Sequence, residues 1–141
     1  MARRDEEAPP CGLDDVAVVV RWERDGTGLR GQVIAENRGS RACKIAGKPT
    51  VTPLRADGSP LPADTVITLE MMTPGYVVLQ PGERAASRLT WASWCGDQAS
   101  GRARVEWTGG WALAEVAGPV QPECVPDRRG FLTSYWFSLI D

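Results

Sequence analysis

The chain predicts an all-β fold, an antiparallel immunoglobulin-like β-sandwich of about eight strands carrying two disulfides. Three observations lead there. Short β-favouring runs alternate with turn residues, no stretch of a dozen residues carries a helical stripe, and four cysteines are spread widely along 141 residues that contain no histidine.

Residues 16–22 make the first strand, with Val16, Val18, Val20 and Trp22 on one face. Asp25-Gly26 and Gly28 turn the chain into residues 29–36, where Leu29, Gly31, Val33 and Ala35 alternate with Arg30, Gln32, Ile34 and Glu36. The Asn37-Arg38-Gly39 run closes that strand. Residues 50–54 lead to the turn Asp57-Gly58, and the proline-bearing segment 59–63 reads as loop or edge. Residues 65–71 and 76–79 are further strands, the second ended by Pro81-Gly82. Residues 84–94 place Leu89 and Trp91 on one face against Arg88 and Thr90 on the other. Residues 102–107 and 111–116 flank Gly109-Gly110 and form the clearest hairpin. Past Pro119, Pro122 and Pro126, residues 131–140 supply a last apolar strand. The immunoglobulin Cys, Trp, Cys pattern is absent, since no Trp lies midway between Cys43 and Cys95.

Cys11, Cys43, Cys95 and Cys124 include no C-x-x-C knuckle of the kind from which zinc sites are built, so disulfides are expected, and with them an oxidising compartment outside the cytoplasm. Three pairings are possible. Cys11 with Cys43 and Cys95 with Cys124 is preferred, because each ties neighbouring strands across a medium loop and adds about 3–4 kcal/mol by restricting the unfolded chain. The length fits one domain, residues 11–141, behind a disordered, charged lead-in over residues 1–10. With a net charge of -2 and basic residues scattered without a patch, nucleic acid is not an expected partner. The longest apolar run, residues 16–20, is far short of a membrane span, and no signal-peptide core follows the charged start. A leader or anchor upstream of Met1 is expected to reconcile that start with export.

The absence of histidine removes Ser-His-Asp and Cys-His catalysis and imidazole metal ligation. Asp14, Asp15, Glu70, Asp97, Glu106 and Glu115 are the carboxylates a glycosidase would draw on, but nothing marks a pair. No enzyme, cofactor or metal is expected. The six tryptophans are the residues suited to recognition. Trp22, Trp91 and Trp136 lie in strands with an apolar face and are expected inside. Trp94 precedes Cys95 and packs against its disulfide on the simplest reading. For Trp107 and Trp111 the outcome depends on hairpin register: a three-residue loop puts both on one face, whereas a two-residue loop leaves Trp111 opposite Thr108 and beside Arg104 and Glu106, on the solvent face.

Cys11-Gly-Leu13, the run from Glu36-Asn37 through Cys43 to Gly47-Lys-Pro49, Asp57-Gly58, Leu79-Gln-Pro-Gly82-Glu-Arg-Ala85 and Trp91-Ala-Ser-Trp-Cys95-Gly96 resemble the family called domain of unknown function 4232. Lys48 stands where most relatives carry an aromatic. The resemblance implies an extracytoplasmic β-sandwich found mainly in secreted, lipid-anchored or membrane-tethered actinobacterial proteins, and it implies no activity. Fourteen arginines against two lysines fit a GC-rich genome.

Two functions are carried forward. One is a non-enzymatic module of the cell envelope that binds a protein partner through an edge strand or exposed apolar patch. The other is a carbohydrate-binding module that stacks glycans on Trp94, Trp107 or Trp111. A coplanar pair of exposed indoles would favour the second. A carboxylate-based hydrolase is the remote third.

Overall fold

The computed structural model describes residues 8–66, 75–127 and 129–140. Its first two strands, β1 (Val16–Asp25) and β2 (Gly28–Asn37), pair antiparallel over their full length around the two-residue turn Gly26-Thr27. The sequence alternation is obeyed: Val16, Val20 and Trp22 are buried while Arg21, Glu23 and Asp25 face out. The chain continues through β3 (Cys43–Pro53), β4 (Asp64–Val66), β5 (Tyr76–Leu79), β6 (Arg84–Ala92), β7 (Arg102–Thr108), β8 (Gly110–Ala117), β9 (Phe131–Ser134) and β10 (Ser138–Ile140). The described residues include no helix, and so none long and apolar enough to cross a membrane.

Among the described residues, ten strands join one continuous sheet, in the order β4-β9-β6-β2-β1-β8-β7-β3-β5, with β10 also on β6. The sheet curls into a half-barrel until β3 touches β9 and β5 touches β6 and β10. The fold is therefore all-β, but the sheet is mixed rather than purely antiparallel and does not divide cleanly into the two sheets of the expected immunoglobulin-like sandwich. The cause is β1, which takes β2 on one edge and β8, in parallel, on the other. A second parallel pairing joins β4 to β9. The β1–β8 seam is short, running only from Val19 opposite Glu115 to Arg21 opposite Ala117.

Inside the curl lie Val20, Val33, Ile45, Leu79, Leu89, Trp91, Val105 and Phe137, all within a few per cent of full burial. Each such side chain stabilises the fold by about 1.5–3 kcal/mol relative to exposure. Trp22 and Trp91 meet at 5.8 Å with their planes tilted by 52°.

Three elements depart from the periodic reading. β3 begins at Cys43 rather than residue 50, and its register against β7 shifts between Ala46 and Thr50, where Gly47 has φ 79°. The strand expected over 131–140 carries one extra residue, since Tyr135, Trp136 and Phe137 oppose only Ser87 and Arg88 of β6. Tyr135 N–H donates to the Arg88 carbonyl, and the Ser87 hydroxyl donates to the Tyr135 carbonyl at 2.6 Å. The bulge switches parity, so Phe137 is buried and Trp136 only half-buried, with Lys48 Nζ 5.4 Å from its ring. The strand expected over 65–71 lies outside the described residues beyond Val66, as does the lead-in up to residue 7.

The disulfides join Cys11 to Cys43 and Cys95 to Cys124. Such bonds belong to an oxidising, extracytoplasmic setting. Pro9 and Cys11 run beside β3, with Lys44 N–H donating to the Pro9 carbonyl and Cys11 N–H to that of Lys44. Buried Asn37 locks the far end of β2. Its amide donates to the carbonyls of Arg41 and Leu79, and its side-chain oxygen accepts from Gly39 N–H. Three segments are tied by one satisfied side chain.

Candidate functional site

The β7–β8 hairpin closes through a two-residue loop, but that loop is Thr108-Gly109 rather than Gly109-Gly110: Gly109 has φ 107° and Trp107 stands opposite Gly110, which puts Trp111 opposite Glu106 and not Thr108. That register decides the fate of both indoles. Trp107 turns inward with Ala103 and Val105, covers Gly110, and donates its Nε1–H to the Cys11 carbonyl at 2.8 Å. Trp111 turns outward, opposite Glu106, together with Leu113 and Glu115.

On this outward face Trp111 is 42 % exposed and Leu113 57 %, two positions apart on one strand. The Arg104 guanidinium lies 4.6 Å from the Trp111 ring centre and bonds Glu106 at 2.8 Å, so the indole is clamped on one side by a cation that is itself paired. Thr50 and Thr52 of β3 extend the same cross-strand rows beyond Glu106 and Arg104. Val19 of β1, 37 % exposed, lies diagonal to Leu113 across the parallel seam, opposite Glu115. Leu113 also forms one wall of a concavity of about 670 Å³ shared with Leu54, Arg55, Ser100, Arg102 and Glu115. The result is an apolar centre of Trp111, Leu113 and Val19 inside a rim of opposite charges.

Of the other candidates, Trp94 is buried, with its Nε1–H donated to the Asp97 carbonyl at 2.9 Å. Trp94 and Trp107 offer no open ring face, so the three indoles do not form a shared stacking platform. Cys11 and Cys43 are buried, whereas Cys95 and Cys124 are exposed. Three of the candidate carboxylates are engaged locally: Asp15 accepts from Gly12 N–H, Asp97 pairs with Arg55 at 2.7 Å, and Glu106 with Arg104. Glu70 lies outside the described residues. Asp57 accepts from both the hydroxyl and the N–H of Ser59, which hold its carboxyl below the usual carboxylate range. Among the described residues no three Cys, Asp or Glu side chains converge as metal ligands would.

Sequence reasoning anticipates Arg104 and Glu106 beside Trp111 but does not single out Leu113. The signal for Leu113 lies in the outward alternation of the hairpin, which the register converts into a neighbour of Trp111.

The chain matches the family profile described as Domain of unknown function (DUF4232) over residues 11–123. No curated protein and no solved structure matches it.

Proposed function

Because the chain belongs to this family of unknown function, with no activity to inherit, we propose from its surface that it is a non-enzymatic interaction module of the bacterial cell envelope, secreted or tethered, that binds a protein partner. The observation that carries this is the outward Trp111–Leu113 pair. Large apolar side chains clustered within a polar rim are what protein hot spots are made of, and Trp and Arg are the residue types enriched there. The two disulfides support the extracytoplasmic setting, and the resemblance drawn from the sequence supports the actinobacterial envelope as the place to look. Contact between β3 and β9 across the curl supports kinship with immunoglobulin-like sandwiches.

The experiment is site-specific photocrosslinking in cell-envelope extract, with the crosslinker in place of Leu113 or, as a control, of Thr90 on β6. A discrete protein adduct at position 113, lost when Trp111→Ala is added, is the expected result. Equal adducts at both positions, or none at 113, would refute the assignment. A glycan read by Trp111 alone is the second reading, favoured only by the exposure of that ring and tested by adding neutral oligosaccharides as competitors.

A further inference from the structure

A second concavity, of about 610 Å³, opens on the outward face of β1, β2 and β6. Register builds it. Arg21 stands opposite Gln32, and Gln32 opposite Arg88, so three strands present Arg, Gln and Arg in one row. The next row is Glu23, Arg30 and Thr90. Two cross-strand spacings separate Arg21 from Arg88, about 10 Å at the backbone.

The charges in these rows are not equally committed. Arg30 pairs with Glu23 at 2.7 Å. Arg21 and Arg88 have no ion-pair partner among the described residues. The Arg88 guanidinium instead lies 4.3 Å from the Tyr135 ring centre, and Tyr135 is pinned at the bulge by Arg88 and Ser87 of the same strand. A guanidinium stacked on an aromatic face keeps its N–H edge for a planar, bidentate acceptor, and carboxylate is the acceptor that fits that fork.

We propose that this groove binds an acidic oligosaccharide, with Arg21 and Arg88 each taking a carboxylate from a different sugar residue. Gln32 and Thr90, between and beside them, supply the neutral hydrogen-bonding groups that sugar hydroxyls need. Glu23 and Asp25 at the end of the groove are acceptors for sugar hydroxyls. The volume falls in the range of small-ligand sites. This groove is separate from the Trp111–Leu113 surface and does not depend on the protein-partner reading.

The test is isothermal titration of the whole chain with trigalacturonate, the neutral trisaccharide maltotriose and free glutarate. Trigalacturonate is expected to bind with an affinity that falls as salt is raised, and maltotriose not to bind. Arg21→Gln and Arg88→Gln should each weaken trigalacturonate about tenfold or more, since each removes a charge-assisted contact. Both residues are exposed, and an unchanged melting curve shows that each variant folds. Trp111→Ala should leave the titration unaltered, so failure here and failure of the protein-partner reading are distinguishable. Absence of trigalacturonate binding, equal binding of maltotriose, or unaltered binding in the double arginine variant would overturn the proposal. Glutarate binding as tightly as trigalacturonate would overturn the saccharide assignment.

Discussion

Graded reduction should open Cys95–Cys124 well before Cys11–Cys43. The sequence separations, 32 residues for Cys11–Cys43 and 29 for Cys95–Cys124, give nearly equal restrictions of the unfolded chain, about 3.7 and about 3.6 kcal/mol. Loop length therefore does not order the two bonds, and access must. Cys95 and Cys124 are exposed, so a thiolate or phosphine reaches them in the native state. Cys11 and Cys43 are 0 % and 2 % exposed. Reaching them requires peeling the N-terminal strap, which breaks the bonds from Lys44 N–H to Pro9, from Cys11 N–H to Lys44 and from Trp107 Nε1–H to Cys11. At about 1 kcal/mol each these amount to about 3 kcal/mol, a retardation of roughly 100-fold. The assay is a time course with limiting phosphine, quenched by alkylation and read by intact mass and peptide mapping. A singly reduced species labelled at Cys95 and Cys124 should accumulate. Equal rates, or first labelling at Cys11 and Cys43, would refute the reasoning.

Trp107→Phe should cost about 1–2 kcal/mol more than Trp91→Phe in urea unfolding, because Trp107 Nε1–H serves the Cys11 carbonyl whereas buried Trp91 Nε1–H has no hydrogen-bond partner among the described residues. Asn37→Ala should lower stability by about 2–4 kcal/mol by orphaning the Leu79 and Arg41 carbonyls, read as a fall in the thermal midpoint. Gly118→Ala should be destabilising by at least about 2 kcal/mol, since φ is 88° and the new Cβ would lie 2.0 Å from the Trp22 carbonyl oxygen. Asp57 has a lowered carboxyl pKa, so its contribution is present above the usual carboxylate range and lost as pH falls through the lowered value. The stability gap between the natural chain and Asp57→Ala, measured by urea midpoints, should therefore close in strong acid, and a gap that persists there would contradict the assignment.

The parts of this fold legible in the sequence are those governed by period-two burial. β1, β2, β6 and the β7–β8 hairpin announce themselves because Val20, Leu89 or Val105 face a core while their neighbours face water. Parallel pairing leaves no comparable local trace. Nothing within residues 19–21 or 115–117 signals that they meet, so the mixed curl replaces the expected antiparallel sandwich only once three-dimensional register is known. Bulges hide in the same way: Gly47 to Pro49 and Tyr135 to Phe137 break alternation locally and shift which side chains enter the core. At the candidate surface, Trp111 was identifiable as a recognition residue while its exposure turned on one residue of loop length. The row of Arg21, Gln32 and Arg88 was invisible to a linear reading, since its members are brought together only by pairing across three strands.

The short parallel seam between β1 and β8 has a mechanical meaning. It is where the two halves of the curled sheet join, and only three registered positions hold it. Cys11–Cys43 ties the chain just before β1 to β3, and Cys95–Cys124 ties the chain after β6 to the chain after β8. Under tension between its ends, the disulfides carry the force past residues 12–42 and 96–123, so β1 and β8 both lie in closed loops off the line of force, and those loops withhold roughly 200 Å of contour at full extension. The three-position seam thus withstands stretching because the cross-links shield both of its strands, and extension is confined to the chain outside the two closed loops.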